Sequence, residues 1–334
     1  MSAVTVAGID CGTNSIRLMI ANVDENGLHE LKPRDTRVVH LGEKVDQTHC
    51  FTHAALQRTF AAAEEFADIL EHYQVEALRF VATSASRDAL NRDEFEAGIQ
   101  RILSVTPEVI SGEEEAQLSF LGAVSVLKAR QQSASILQVP YLVVDLGGGS
   151  TELVMGGDGV ASPADQVQAS YSMDIGSVRM TERHLLSDPA TKQQIQEAVS
   201  DIDSSIDRAF QQVPVRNVKT VIGVSGTITT MSALAVRLKT YDREAVDGAQ
   251  ISMAQVHEAN RKLLAMNSKE RSDCKVIHPG RVGVIPGGAI VWDRLLERLQ
   301  EQAQGMADAY IASEHGLLDG VVLDLGRRCL DRRS

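Results

Sequence analysis

The segments AGIDCGTNSIRLMI (7–20) and LVVDLGGGSTELVM (142–155) follow one pattern. Asp10 lies over Asp145, Gly12 over Gly147, Ser15 over Ser150 and Leu18 over Leu153. Each copy reads as an apolar strand ending in an acid, a turn of small residues, and a second apolar strand. That is a β-hairpin whose turn is too rich in Gly, Ser and Thr to be only a connector. The copies stand a whole domain's length apart, and a chain of 334 residues has room for two domains. The repeat therefore constrains the chain to two like domains.

The stretches after each hairpin support an α/β class. In the first half, 36–42 reads as a strand and 52–73 as a helix with Leu56, Phe60, Ala63, Phe66 and Leu70 on one stripe. Residues 77–83 read as a buried strand and 93–103 as a helix. In the second half, 169–176 and 219–226 read as strands, with helices near 177–187, 190–211, 227–239, 252–266 and 287–302. Such alternation predicts mixed sheets covered by helices. The expected domains are 1–128 and 129–334, with QQSASILQVP (131–140) as the linker and the last helix free to pack back on the first domain. Facing hairpin loops would line an interdomain cleft, a favoured ligand site.

Composition narrows the classes. No uncharged apolar run approaches the ~18 residues of a membrane span. The opening MSAVTVAGID has no basic segment followed by an apolar block, so no signal peptide is expected. Cys11, Cys50, Cys274 and Cys329 are scattered, as in reduced cytoplasmic proteins. The net charge of −12 and the absence of a dense Lys/Arg block argue against nucleic acid as a partner. The C-terminal GRRCLDRRS reads as a solvated tail.

A turn of Gly, Ser and Thr exposes backbone N–H groups that can form an anion-binding nest. Thr13, Ser15, Ser150 and Thr151 add hydroxyls, and Asp10, Asp145 and Glu152 add carboxylates. Those carboxylates would repel phosphate unless a hard cation stood among them, which suits Mg²⁺. The pair of loops thus reads as a phosphate clamp with a metal; two ordinary tight turns are the alternative. No GxxxxGK[ST] phosphate loop occurs, and the glycines join strand to strand, unlike the dinucleotide fingerprint. A further acidic group stands in ISGEEEAQLSF (110–120). Ser111 and Glu114 fit a capping box, which leaves Glu115 unneeded by the cap. Glu115 lies at the edge of the stripe Ala116, Phe120, Ala123 and Leu127, where a carboxylate could orient an attacking water.

DCGTNSIRL, ATSASRDALN (82–91), SGEEEA (111–116) and DLGGGSTELV, in that order, resemble the exopolyphosphatase/guanosine pentaphosphate phosphohydrolase (Ppx/GppA) family, and most of all its short actinobacterial-type exopolyphosphatases. The resemblance continues through GVSGTITTMSAL (223–234), HPGRVGVIPGGAIV (278–291) and SEHGLLDG (313–320). It implies two actin-like, ribonuclease H-like domains. It also implies metal-dependent hydrolysis of terminal phosphate from inorganic polyphosphate. By the same resemblance Glu115, with Glu114 beside it, is the catalytic acid pair, Glu115 activating water. Asp10, Asp145 and Glu152 would hold Mg²⁺ or Mn²⁺. Thr13, Asn14, Ser15, Gly147, Gly148, Gly149, Ser150 and Thr151 would bind phosphate, with Arg87 and the further arginines Arg17 and Arg281. Pro286 departs from the family, whose members usually carry glycine there, and this argues against a tight ligand contact by that turn. His278 is expected to be structural.

Long members carry a C-terminal helical extension, and this sequence ends near the end of the second domain. The resemblance then implies weaker processivity and a preference for short chains. Guanosine pentaphosphate 5′-phosphatase or nucleoside triphosphatase activity remains an alternative, as does a non-catalytic sensor of polyphosphate or alarmone. A homodimer is left open.

Overall fold

Apolar runs that do not alternate mark strands buried on both faces. VTVAGIDC is such a run and forms β1 (Val4–Cys11), nearly all of it buried. The first repeat turn returns the chain as β2 (Ser15–Asp24), antiparallel to β1 with Asp10 opposite Arg17. The computed structural model describes residues 3–129 and 138–333. The chain divides into two units, one of Met1–Ser125 with Leu317–Ser334 and one of Val126–Gly316.

In the first unit, β3 (Gly27–Glu30) and β4 (Asp35–Val38) both pair with β2. The short α1 (Val45–Thr48) precedes α2 (His53–Leu70), which is capped by the Thr52 hydroxyl accepting from the Ala55 N–H at 3.1 Å. Leu56, Ala63 and Phe66 of the expected stripe are buried, while Phe60 and Leu70 pack at its margin. There follow β5 (Ala77–Ala82), α3 (Ser84–Asp88), α4 (Arg92–Leu103), β6 (Glu108–Val109) and α5 (Gly112–Ala129). The sheet order is β3-β2-β1-β5-β6, with β5 and β6 parallel to β1.

The strand expected over 36–42 stops at Val38. Beyond it the chain turns to the first loop instead: the N–H groups of Val39 and His40 donate to the Asn14 carbonyl, and that of Gly42 donates to the Thr13 carbonyl. Leu127, the last residue of the expected α5 stripe, and most of the expected linker lie outside the described side chains.

The C-terminal helix (Leu317–Asp331) groups with this first unit, the packing back that the expected division left room for. Val4, Val6, Met19, Ala21 and Val23 of the sheet bury against Leu318, Val322 and Leu323 of that helix. At Gly320 the helix passes the backbone of α5 so closely that a Cβ would stand 1.9 Å from the Leu118 carbonyl oxygen.

The second unit begins with β7 (Tyr141–Leu146) and β8 (Thr151–Gly156), the second repeat hairpin, followed by β9 (Val167–Met173). Next come α6 (Ser177–His184), α7 (Lys192–Gln212), β10 (Thr220–Val224), α8 (Ser225–Ala235) and α9 (Arg243–Val246). Last are β11 (Gln250–Ser252), α10 (Met253–Ala265), α11 (Ser268–Asp273), α12 (Ile285–Gln302) and β12 (Ala309–Ala312). The sheet order is β11-β12-β10-β7-β8-β9.

The first hairpin with its following parallel strands, β3-β2-β1-β5-β6, is matched strand for strand by β9-β8-β7-β10-β12. The directions agree as well: an antiparallel hairpin, then two parallel strands on its far side. The repeat seen in two short segments is thus a repeat of whole sheets. The core of the second unit is centred on Trp292, which meets Tyr310 edge to face at 4.8 Å between ring centroids. Among the described residues no helix is long and apolar enough to cross a membrane.

Candidate active site

In sheets of this kind, chemistry gathers at the carboxyl ends of the parallel strands. Asp10 closes β1, Arg87 lies on the helix after β5, and Glu115 lies on the helix after β6. Asp145 and the second loop close β7, while the start of α8 follows β10. The candidate residues of each unit therefore stand at the same edge of that unit's sheet.

The two hairpin turns are built alike. Gly12 N–H donates to the Ser15 carbonyl at 2.9 Å, and Gly147 N–H donates to the Ser150 carbonyl at 2.9 Å. In both turns the carbonyls are tied down by a neighbouring segment. Val39, His40 and Gly42 take those of the first turn. In the second, Gly147 accepts from Ser177 N–H at 3.0 Å, Gly148 from Val178 N–H at 2.8 Å, and Gly149 from Arg179 Nε at 2.7 Å. A trans peptide points its C=O and N–H in opposite directions. Holding the carbonyls on the protein side aims the N–H groups of Asn14, Gly148, Gly149 and Ser150 the other way, as an anion nest requires. Two glycines outside the motifs make the close approach feasible. A Cβ on Gly42 would lie 2.2 Å from Thr13 Cγ2, and one on Gly176 would lie 2.5 Å from the Gly148 oxygen. Asn14 Oδ1 is buried with no hydrogen-bond partner among the described residues.

The acids of the two hairpins differ in their cross-strand partners. Asp10 faces Arg17, which donates to it through Nε at 3.0 Å and through a second guanidinium nitrogen. At the equivalent position of the second hairpin Asp145 faces Glu152. Both acids are buried, and Ser172 Oγ donates to Glu152 Oε1 at 2.7 Å. Like charges directly opposite on a sheet are destabilising. A buried pair of carboxylates beside a glycine nest is an all-oxygen donor set, which fits a hard dication such as Mg²⁺. Asp10 was expected to join that set; in the structure its Oδ2 accepts from Arg17. Arg17, expected on substrate, is correspondingly the counter-ion of Asp10.

Glu115 is buried, and Arg87 holds it: a guanidinium nitrogen of Arg87 donates to Glu115 Oε2 at 2.7 Å and to the Ile110 carbonyl at 3.0 Å. Glu114, expected beside it in catalysis, is turned elsewhere. Its carboxylate accepts from the buried Arg79 at 2.7 Å, alongside Glu108 and Asp324. Its N–H donates to Ser111 Oγ at 3.1 Å, so half of the capping box forms. The i,i+1 spacing explains the split, since consecutive helix residues point about a quarter-turn or more apart.

Thr151 also departs from expectation. It is fully buried, and its hydroxyl donates to the Ile175 carbonyl at 2.7 Å, which holds β8 to the segment before α6 instead of facing a ligand. Ser15 and the amides of Gly148 and Gly149 keep their places in the turns, and Thr13 and Ser150 are largely buried there. Arg281 lies against the start of α8, donating to the Gly226 carbonyl at 3.3 Å. His278 is structural, as expected: its Nδ1 accepts from Gly280 N–H at 3.1 Å and caps the short turn over Pro279–Arg281. Burial, with Arg281 beside it, pushes the His278 imidazole below its ordinary range. Pro286 opens α12, and the close contacts there are made by Gly287 and Gly288 against Thr181, Ser177 and Thr227.

Sequence reasoning missed Arg179, Ser172, Gly42 and Gly176. None lies within a motif, and only chain folding brings them to the turns. Ser225 was missed too; it opens α8 with φ 79°, a left-handed conformation that non-glycine residues rarely adopt, beside the strand that carries Asp145. The four cysteines are free thiols, and burial pushes that of Cys11 well up, with Asp10 adding to the rise.

Two sheets of one topology, each with an acid and a small-residue turn at the end of its first strand, define an α/β protein of the actin-like class. The profile of the Ppx/GppA phosphatase family matches residues 19–325, and the chain belongs to that family. It is 42% identical to "Exopolyphosphatase 2" of Mycobacterium tuberculosis (strain H37Rv), over 97% of this chain and 99% of that protein. A crystal structure of an exopolyphosphatase-like protein superposes with a TM-score of 0.95 at 58% identity, covering 99% of this chain and 100% of that one. The Aquifex aeolicus member of the family superposes with a TM-score of 0.77 at 28% identity, over the whole of both chains.

Proposed function

We propose that the protein is an exopolyphosphatase, releasing orthophosphate from the end of inorganic polyphosphate by metal-dependent hydrolysis. The observation that carries this reading is the second hairpin: a buried cross-strand pair of acids, Asp145 and Glu152, at the mouth of a glycine turn whose carbonyls are all held back. Hydrolysis of a phosphoanhydride asks little covalent chemistry of a protein and much positioning and charge compensation. The amides of Gly148, Gly149 and Ser150 would bind phosphoryl oxygens, with Asn14 and Ser15 supplying the first turn. Mg²⁺ or Mn²⁺ held by Asp145 and Glu152 would offset the charge on those oxygens. Glu115, fixed by Arg87, would take the proton of an attacking water. Arg179 acts as a positioning residue, since it holds the Gly149 carbonyl that orients the nest.

The test is phosphate release by the full-length protein from short polyphosphate, long polyphosphate, guanosine pentaphosphate and ATP under one condition, with Mg²⁺, Mn²⁺ or EDTA. Release from polyphosphate that exceeds release from the nucleotides, and that EDTA abolishes, is the expected result. Tight binding of polyphosphate without release would show a sensor. Preference for guanosine pentaphosphate would assign the protein to the nucleotide branch of its family.

A further inference from the structure

In the second unit, α10 and α12 bring a second group of ligating side chains together. His257 and Asn260 stand one turn apart on α10, and Asp293 and Glu297 one turn apart on α12. His257 Nδ1 lies 2.5 Å from Asp293 Oδ1, and Asn260 Nδ2 lies 2.5 Å from Asp293 Oδ2. One ligand atom each of His257, Asp293 and Glu297 falls within 4.8 Å of the other two. The amide of Asn260 is nearly buried against this group, and its Oδ1 has no hydrogen-bond partner among the described residues. Arg294 also donates to Glu297 Oε2, at 2.9 Å.

We propose that His257, Asp293 and Glu297 form a second divalent-metal site, of the Zn²⁺ class, that ties α10 to α12. One imidazole with two carboxylates is a mixed nitrogen and oxygen set, which favours Zn²⁺, Co²⁺ or Ni²⁺ over the Mg²⁺ preferred by an all-oxygen pair. The three ligand atoms need only small side-chain rotations to close on one ion, because tetrahedral bonds of ~2 Å hold neighbouring ligands roughly 3.4 Å apart. Water would complete the set, with Asn260 holding Asp293 in place through its bond to Oδ2. His257 and Glu297 keep partial exposure, with side chains 31% and 44% accessible, which gives an ion its way in. A simple His–Asp pair would account for His257 and Asp293 but not for the convergence of Glu297 on them. Through α12 the ion would stiffen the helix whose first turn holds Ser177, Thr181 and Thr227, and so brace the elements that carry the glycine turn.

The test is a titration of the full-length protein with Co²⁺ in excess Mg²⁺, read by visible absorption and by equilibrium dialysis, with Zn²⁺ then competing. Wild type should bind Co²⁺ at a site that Mg²⁺ does not displace and Zn²⁺ does. His257→Ala and Glu297→Gln should each weaken that binding at least tenfold, while Asp145→Asn should leave it intact. Zn²⁺ should raise the thermal midpoint of wild type and not that of His257→Ala, and both helix variants should keep wild-type turnover in Mg²⁺. Binding that is the same in wild type, His257→Ala and Glu297→Gln, or that disappears only with Asp145→Asn, would overturn the site. Failure of polyphosphate hydrolysis would leave these readouts unaffected.

Discussion

Glu115 and Glu114 are neighbours in sequence with opposite fates in the structure. Glu115 is buried against Arg87, whereas Glu114 faces Arg79 with Glu108 and Asp324. Glu115→Gln should therefore lower the turnover number by at least ~10²-fold. Thermal midpoint and polyphosphate binding should stay near wild type, measured by phosphate release and by calorimetry. Glu114→Gln should leave turnover near wild type and lower stability instead, since it takes one of three acids from a buried arginine. Equal losses of rate in the two variants would refute this division. A similar contrast holds between Arg17 and Glu152, which occupy the same position of the repeat. One neutralises its cross-strand acid, and the other doubles the negative charge.

At the scale of elements, what the turns bind depends on what holds their backs. Gly176 lets the segment before α6 reach the second turn, where any Cβ would meet the Gly148 backbone. Gly176→Ala should push the turn out of register and lower kcat/KM for polyphosphate by an order of magnitude or more, as small misplacements at reacting centres do, with a smaller effect on the thermal midpoint. A loss of stability with unchanged kinetics would show that the turn takes no part in binding. A second element-scale device joins α7 to α12. Burial would raise the Asp203 carboxyl, yet hydrogen bonds from Arg294 at 2.7 Å and Arg298 at 2.9 Å outweigh it and hold the group below its ordinary value. A carboxyl depressed in the folded state contributes stability above its unfolded pKa, about 3.9, and loses it as pH falls through the folded value. Asp203→Asn should thus destabilise the protein at neutral pH and flatten the acid limb below about pH 4, read from thermal midpoints across pH. An acid limb identical to wild type would remove Asp203 from that role.

For the molecule as a whole, the last helix is part of the first unit although it is the last segment of the sequence. It covers the Val4, Val6, Met19 and Val23 face of the sheet, and Gly320 lets it touch the α5 backbone. Gly320→Ala should cost about 1–3 kcal/mol through overpacking, seen as a lower denaturant midpoint. If the substitution proves neutral, the close approach of that helix to α5 is not a determinant of the fold.

The sequence alone determined the class of fold, the two acid-and-glycine turns and the candidate base, because each depends on local pattern. Strand runs, small-residue turns and an acid just inside a helix are set by residues a few positions apart. Only tertiary structure decided which of those residues do what. Arg17 found Asp10, Glu114 found Arg79, Thr151 turned its hydroxyl to Ile175, and Arg179 and Gly176 reached the second turn. The strand expected through Gly42 gave up its last residues to brace the first turn, a bond choice that no local propensity encodes. A partner's identity is a property of the folded chain: a charge or a hydroxyl is satisfied by whatever the topology brings within about 3 Å of it, and that distance is not written in the spacing of residues.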